Sequence, residues 1–425
     1  MPIISDPKVP LDNKQLRHYD KDGNYIRTSV DEAIARGLNK WKGWNCSAGS
    51  RYLYIDYDTN IWACNTASSK INRFNDDGWN KVVEEKFGPA PHDKYIQENG
   101  LDKNDSEEWW TIIGEEREKF YKGDNAWHTT LKKQNNIFGL YGNIIEGFEL
   151  PDKWTVCPFA SCGCGADVIV SKAKDRNGVN QLAVSIDGYD GQHRTKDNIV
   201  ESIEEPVAVE MDFPIPYQVL WDVGRRCNYD CFYCWDRVHD NVSEHHDYEK
   251  IFEGTNKILK WAEGDQIRWN FGGGEPTMHP NFVEWMKYLK DNGQWTMVTT
   301  NGTRSPKYWK ELVPNLNSIN MSAHFASMIA FPKHLKNFVT NTNIIMDHHD
   351  TVDDDHWLEI KLMTPPGWLD YALEFKDKID TERLKAPGAN GRMKGTLSLV
   401  PIRSIADSGK LVDYSKAELE YFKNQ

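Results

Sequence analysis

The chain has 425 residues, of which 27% are charged, and its formal net charge is −13 at neutral pH. That length exceeds what one hydrophobic core usually holds, so two domains are expected. The acidic balance argues against nucleic acid or an anionic membrane surface as a partner. Because no apolar stretch has the length of a signal-peptide core or a membrane span, we expect a cytoplasmic protein whose eight cysteines bind metal rather than form disulfides.

Five of the cysteines lie in the N-terminal part of the chain: Cys46, Cys64, Cys157, Cys162 and Cys164. Between the first two, apolar residues alternate around the sequence DYDTN, which predicts a β-hairpin with strands over residues 52–56 and 61–64. The other three belong to a later, turn-rich cluster. Four of the five thiols would complete either a zinc site or one iron–sulfur cubane. Cys157 is then spare, although Cys46 or Cys162 could exchange with it.

Strand and helix patterns alternate along the C-terminal half. The predicted strands cover residues 217–223, 266–271, 295–300, 318–322, 357–363 and 396–401. The predicted helices cover residues 248–262, 281–292, 306–312, 332–346 and 369–379. This alternation indicates a parallel sheet with helices outside it, and six such units fall short of a complete eight-unit barrel. The acidic run at residues 346–357 is interpreted as a loop.

Three thiols lie in one short loop directly after the first of these strands, in the sequence CNYDCFYC. They are Cys227, Cys231 and Cys234. Three thiolates can ligate three irons of a cubane cluster and leave the fourth iron open for a substrate or cofactor. A structural zinc site is the alternative, and it needs a fourth ligand, for which His239 is the nearest candidate.

A glycine-rich segment ends the second predicted strand, in the sequence FGGGEPTMHP. Gly272, Gly273 and Gly274 are followed by Glu275 and Pro276, which lead into the next helix. Glycines at the C-terminal end of a strand let a ligand approach bare backbone. Since the Cys loop also follows the C-terminal end of a parallel strand, we expect both segments on the same rim of the sheet.

In this order, and one βα unit apart, the two motifs resemble those of the radical S-adenosylmethionine (radical SAM) superfamily. Its signature is CxxxCxΦC, where Φ is aromatic and corresponds to Tyr233, and its GGEP motif corresponds to residues 273–276. The resemblance implies a partial (β/α)6 barrel, a 4Fe–4S cluster on the three thiols, and S-adenosyl-L-methionine bound at the open iron. It also implies reductive cleavage of that cofactor to a 5′-deoxyadenosyl radical, with an electron donor such as flavodoxin or ferredoxin.

Two further strand ends fit the contacts that this family makes with its cofactor. Asn301 follows the third predicted strand and Ser322 ends the fourth. The resemblance implies polar contacts from this region to the ribose and carboxylate of S-adenosylmethionine. Ordinary turn chemistry explains both residues as well. Arg403, just past the sixth strand, is a further candidate of the same kind.

The N-terminal cysteine pattern resembles the auxiliary-cluster domains of the SPASM and twitch type, in which a cysteine-bearing hairpin and a later cysteine cluster hold a second 4Fe–4S cluster. Here Thr59 stands where the hairpin turn usually has glycine, and the domain precedes the barrel. The resulting fold class is α/β. We predict a smaller N-terminal α+β auxiliary-cluster domain over residues 1–175, a connector over 176–212, the radical SAM core over 213–405 and a tail over 406–425.

Three functions are compatible with these patterns. The first is a radical SAM enzyme acting on a peptide or protein side chain, as many enzymes with SPASM-type domains do. The second is a radical SAM enzyme acting on a small molecule such as a nucleotide, sugar or cofactor precursor. The third belongs to a different class, a non-catalytic protein with zinc in both cysteine sets.

Overall fold

A computed structural model of the chain describes residues 48–64, 141–150, 217–231, 233–234, 239–353, 356–402 and 414–423, and the backbone of short strands elsewhere. The strands that precede the predicted barrel are β1 (Gln15–Tyr19), β2 (Tyr25–Ser29), β3 (Asn45–Cys46), β4 (Tyr52–Ile55), β5 (Asn60–Trp62), β6 (Leu140–Asn143), β7 (Gly147–Phe148), β8 (Trp154–Val156), β9 (Lys172–Ala173) and β10 (Ala208–Val209). The later strands are β11 (Tyr217–Asp222), β12 (Ile267–Gly272), β13 (Trp295–Thr300), β14 (Ser318–His324), β15 (Trp357–Thr364) and β16 (Gly395–Pro401).

Helices separate the later strands. They are α1 (Tyr248–Trp261), α2 (Phe282–Asp291), α3 (Pro306–Leu312), α4 (Phe325–Met328), α5 (Pro332–His349), α6 (Leu369–Lys376) and α7 (Thr381–Lys385), and α8 (Lys416–Lys423) follows the last strand. Within the described ranges, none of these helices combines the length and the apolar character that crossing a bilayer requires.

A single ten-stranded sheet contains most of the described strands, in the order β16-β15-β14-β13-β12-β11-β4-β5-β6-β7. The strands from β11 to β16 are parallel, as the alternation of strands and helices requires. Because β16 and β7 form its two edges, the sheet is open. The predicted α/β class and the six parallel strands are confirmed, whereas the partial barrel stays a prediction.

The core of this sheet lies between the parallel strands and the helices. Along β12 the buried side chains alternate, so that Trp269 and Phe271 lie on the helix side. Trp285 of α2 packs edge-on against Phe271 and Trp221, with ring centroids 4.9 and 4.6 Å apart. Burying each such side chain contributes about 2–3 kcal/mol, so this aromatic cluster fixes α2 against the strands that carry the two motifs.

Helix α5 is longer than predicted and ends at His349 instead of residue 346. His349 is buried, and its ring stacks on that of His356 at a centroid distance of 5.1 Å. The prediction of a loop over residues 346–357 is therefore wrong for its first residues. The acidic residues of the run favoured a loop in the prediction. His348 and His349 instead continue the helix, and their rings pack against that of His356, directly before β15.

The predicted N-terminal hairpin is present, and it belongs to the large sheet. Strand β4 pairs in parallel with β11, and β5 pairs with β4 in the antiparallel sense. The hairpin therefore extends the sheet beside the strand that leads into the Cys loop. Its turn residue Thr59 has a φ of 63°, the left-handed conformation that glycine usually adopts. The predicted division into domains at residues 175 and 213 stays a prediction.

Candidate functional site

The Cys loop (residues 225–240) follows the C-terminal end of β11 and is closed by backbone hydrogen bonds. The Cys227 N–H donates to the Asp240 carbonyl at 2.7 Å, and the Asp240 N–H donates to the Arg225 carbonyl at 2.9 Å. Between these ends, Cys227, Cys231 and Cys234 are free thiols, and that of Cys231 is buried. One short closed loop therefore carries all three soft donors.

The glycine segment packs directly against the start of this loop. The Gly274 N–H donates to the Gly224 carbonyl at 2.8 Å. A Cβ atom on Gly273 would lie 2.7 Å from the Gly224 oxygen, and one on Gly274 would lie 2.3 Å from the Arg225 oxygen. Only glycine permits these approaches. The close approach of the Cys-loop backbone therefore requires these two glycines. This reason differs from the predicted one, which was the approach of a ligand to bare backbone.

Glu275 is buried, and its carboxylate joins the ends of β12 and β13. Oε1 accepts from the Thr300 hydroxyl at 2.7 Å and from the Thr277 N–H at 3.1 Å, and it also accepts from the Thr277 hydroxyl. Oε2 accepts from the Asn301 N–H at 2.7 Å. Burial raises the pKa of Glu275, and these hydrogen bonds oppose that rise. The carboxylate therefore fixes the glycine segment relative to the turn after β13.

Asn301 connects this turn to the Cys loop. Its Nδ2 donates to Asn228 Oδ1 at 2.7 Å, and its Oδ1 accepts from the Thr303 hydroxyl at 2.6 Å. Asn228 in turn donates to the Thr303 hydroxyl at 3.2 Å. Three strand ends are thereby joined into one hydrogen-bonded rim, which contains the predicted candidates Glu275 and Asn301.

On one side of the Cys loop lies the histidine flank, defined as residues 324–334. Tyr233 Oη is 2.8 Å from His324 Nδ1, with the two rings stacked, and Tyr229 Oη is 2.7 Å from His334 Nδ1. Ser327 Oγ lies 3.3 Å from Cys231 Sγ. Burial lowers the pKa of His324 to about 4, so its ring is neutral at neutral pH.

On the other side lies the hairpin flank, defined as residues 56–59, the turn between β4 and β5. The Arg225 guanidinium binds both carboxylate oxygens of Asp58, at 2.5 and 2.6 Å, and lies over the Tyr57 ring at 4.0 Å. His246 Nε2 is 2.7 Å from the Tyr57 carbonyl oxygen. The sequence gives no signal for either flank, because the partners are separated by roughly 90 to 190 positions.

The opposite face of the sheet from the helices is polar. Successive residues of a strand point to opposite faces, and parallel partners in register share a face. Ser322 of β14 is in register with Lys361 of β15, which is in register with Ser398 of β16. Lys361 Nζ is 3.4 Å from Glu359 Oε2, a carboxylate that is buried. Ser322, a predicted cofactor contact, thus lies on a face suited to polar ligands.

The surroundings of Cys227 and Cys231 do not ionise their thiols. Burial raises the pKa of Cys227, and the neighbouring Glu275 raises it further. Burial likewise raises the pKa of Cys231, although its contact with Ser327 opposes the rise. At neutral pH the Cys227 and Cys231 thiols are therefore protonated, so the positive charge of a bound metal centre is what would make them thiolates.

Within the described ranges, no group of three or more His, Cys, Asp or Glu side chains is gathered as a metal ion requires. The donor set of the Cys loop nevertheless fits an iron–sulfur cluster, since it consists of three soft thiols on one loop. The zinc alternative requires a fourth ligand. His239, the nearest candidate, contacts Asp230 Oδ1 through its Nε2 at 3.1 Å.

The remaining candidates are only partly covered by the described residues. Cys64 is buried and follows β5. For Cys46 only the backbone, in β3, is described. The candidates that lie outside the described residues are Cys157, Cys162, Cys164 and Arg403.

Comparison with known proteins identifies the part of the chain that contains the Cys loop and the glycine segment. Residues 221–375 match the family model of the Radical SAM superfamily. The chain carries a radical SAM domain. Proteins of this superfamily are enzymes that bind S-adenosylmethionine and a 4Fe–4S cluster, which confirms the resemblance in the two motifs. The comparisons do not extend to the SPASM or twitch type, which stays a prediction.

Curated relatives match part of the chain. It is 30% identical over 104 residues to the Fe-coproporphyrin III synthase of Methanosarcina barkeri, covering 24% of this chain and 25% of that protein. It is 31% identical over 111 residues to an S-adenosylmethionine-dependent nucleotide dehydratase of Pseudoalteromonas ulvae, covering 23% of this chain and 36% of that protein. It is 31% identical over 100 residues to the PqqA peptide cyclase of Bradyrhizobium diazoefficiens, covering 23% of this chain and 26% of that protein. The chain thus spans between 25% and 36% of the length of these relatives.

Proposed function

We propose that the chain reductively cleaves S-adenosylmethionine at a 4Fe–4S cluster ligated by Cys227, Cys231 and Cys234, with the cofactor bound at the iron that lacks a protein ligand. The observation that carries this proposal is the closed loop of three free thiols packed on the glycine segment at the C-terminal rim. When bound, the cluster and S-adenosylmethionine supply a 5′-deoxyadenosyl radical that abstracts hydrogen from the substrate.

The residues of the rim would bind and orient the cofactor. We assign the methionine end of S-adenosylmethionine to the backbone of residues 272–276, and its ribose and carboxylate to Asn301 and Ser322. Tyr233 lies between two of the cluster ligands. Glu275 has four hydrogen bonds to its own chain, so it would act by holding the shape of the glycine segment.

The N-terminal thiols would hold a second cluster. We propose that four of Cys46, Cys64, Cys157, Cys162 and Cys164 ligate an auxiliary 4Fe–4S cluster of the SPASM or twitch type. Cys64 supports this assignment, because it is a buried cysteine directly after the β4–β5 hairpin, which pairs with β11. An auxiliary cluster could accept an electron from the oxidised substrate, relay electrons or bind substrate. A zinc site built from four of these thiols is the alternative.

For the substrate, we favour a peptide or protein side chain, as the SPASM-type cysteine pattern suggests. The relatives named above include a peptide cyclase and a nucleotide dehydratase, so a small molecule is the second candidate. The polar face of the sheet suits either substrate, provided that the reacting part is polar. The electron donor would be a flavodoxin or ferredoxin.

Anaerobic reconstitution tests the proposal. The wild-type chain should take up about eight irons and form 5′-deoxyadenosine when reduced in the presence of S-adenosylmethionine. Replacing the three loop cysteines by alanine should remove about four irons and abolish 5′-deoxyadenosine. The matched control, Cys64→Ala, should also lose about four irons and keep the ability to cleave S-adenosylmethionine. Zinc in both cysteine sets, with no cleavage, would contradict the proposal and favour a non-catalytic zinc protein.

A further inference from the structure

A serine hydroxyl faces one of the three thiols of the Cys loop. Ser327, in α4, places its Oγ 3.3 Å from Cys231 Sγ, a normal separation for a hydrogen bond that involves sulfur. Cys231 is buried, with 6% of its surface exposed, so water competes little for this contact. The pair is separated by 96 positions in sequence and is brought together by the fold.

The serine is held in place by its neighbours. Phe325 and Met328, on either side of it in α4, are fully buried. The Phe325 ring packs edge-on against those of Tyr371 and Phe375 in α6, at centroid distances of 5.2 and 5.1 Å. The contact therefore joins two fixed elements, the core-anchored α4 and the closed Cys loop.

The same sulfur has a second hydroxyl neighbour, that of Tyr233. Tyr233 Oη, however, also lies 2.8 Å from His324 Nδ1. The one proton of the Tyr233 hydroxyl therefore has two acceptors within reach, His324 Nδ1 and Cys231 Sγ. Ser327 offers Cys231 a hydroxyl proton of its own.

We propose that Ser327 is a positioning residue that acts through Cys231: it donates a hydrogen bond to the ligating sulfur and thereby raises the reduction potential of the S-adenosylmethionine-binding cluster. This inference rests on the proposed function. A metal-bound thiolate can only accept a hydrogen bond, so the serine hydroxyl must donate. One electron from a reductant such as dithionite would add negative charge to the sulfurs of a bound cluster. An O–H dipole stabilises that reduced form more than the oxidised form.

The experiment is a redox titration of the anaerobically reconstituted holoprotein, followed by the electron paramagnetic resonance signal of the reduced cluster. The signal that changes when S-adenosylmethionine is added identifies the cluster with the open iron. Ser327→Ala should give a more negative midpoint potential for this signal, with wild-type iron content. Thr340→Ala is the matched control, because its hydroxyl donates to the Lys336 carbonyl in α5, and its midpoint should equal that of the wild type.

Two further variants keep the test decisive if Ser327→Ala does not hold the cluster. Thr and Val have the same shape and differ in the hydroxyl, so Ser327→Thr should stay near the wild-type potential and Ser327→Val should be more negative. Wild-type potentials in both Ser327→Ala and Ser327→Val, with iron retained, would overturn the inference and leave the proposed function intact. A wild-type protein without any signal that responds to S-adenosylmethionine would instead overturn the proposed function, and the inference with it.

Discussion

The two flanks of the Cys loop hold it by different chemistry. The hairpin flank uses charge, because Asp58 and Arg225 form a bidentate ion pair whose side chains are 22% and 14% exposed. The histidine flank uses neutral groups, two tyrosine–histidine pairs and one serine–cysteine contact. Removal of a charge should therefore weaken mainly the hairpin flank, and acid should weaken mainly the histidine flank.

Three sets of contacts within the chain position the Cys loop. Backbone contacts with the glycine segment fix the start of the loop, and the flanks fix its two sides. Because the flanks come from distant parts of the chain and share no residue, each can be weakened separately. Substitutions in each flank therefore show how much that flank contributes to holding the loop.

Breaking the ion pair of the hairpin flank should have the largest effect. Asp58→Ala leaves a mostly buried guanidinium without its carboxylate, and we expect a loss of about 2 kcal/mol in the free energy of unfolding, between the values for exposed and buried pairs. Urea unfolding followed by circular dichroism measures this loss. Lys287→Ala breaks an exposed pair with Asp291 and should change stability by less than about 0.5 kcal/mol. Equal effects in the two variants would contradict a structural role for the hairpin flank.

Acid should weaken the histidine flank. Burial lowers the pKa of His324 to about 4, below the usual value of 6.5. Since the unfolded chain binds the proton more readily, the contribution of His324 is complete above pH 6.5 and is lost as the pH falls from 6.5 to about 4. His324→Asn keeps a polar group near the Nδ1 position without titrating. Urea midpoints of the metal-free chain should therefore decline less with acid in the variant, and parallel pH profiles would refute the assignment.

Removing one tyrosine hydroxyl from the histidine flank should have a smaller effect. Tyr229→Phe loses the contact with His334 and should cost about 1 kcal/mol of unfolding free energy. Tyr308→Phe is the control, because the Tyr308 hydroxyl is buried without a hydrogen-bond partner in the described part of the chain. Removing it should be neutral or stabilising. The same urea measurement compares the two, and a cost at least as large for Tyr308→Phe would count against the tyrosine–histidine pair.

The turn of the hairpin flank allows the finest comparison. Thr59 has a left-handed backbone, and its hydroxyl donates to Asn143 Oδ1 at 2.9 Å. Thr59→Ala loses the hydrogen bond and keeps the strain, whereas Thr59→Gly loses the bond and relieves the strain. We therefore expect the glycine variant to be more stable than the alanine variant by about 1 kcal/mol. Equal urea midpoints would show that the turn carries no strain.

Local patterns predicted the parallel strands and the position of both motifs after strand ends. The alternation of apolar residues in a strand and a glycine at its end are both short-range signals. The sequence also placed Cys227, Cys231 and Cys234 directly beyond β11. It did not reveal why Gly273 and Gly274 are required, since the clash is with a backbone segment about fifty positions earlier. The contacts of both flanks were missed for the same reason: each depends on strand order and register, which no local pattern contains.

The electron paramagnetic resonance signal of the reduced Cys64→Ala variant, with and without S-adenosylmethionine, tests whether the Cys-loop cluster has an open iron. This variant should lack the auxiliary cluster and retain the one on the Cys loop. We expect a cluster signal that changes on addition of S-adenosylmethionine and that disappears when Cys231 is also replaced by alanine. A signal that does not respond to S-adenosylmethionine, or zinc in place of iron at these thiols, would contradict the claim that the loop leaves one iron open.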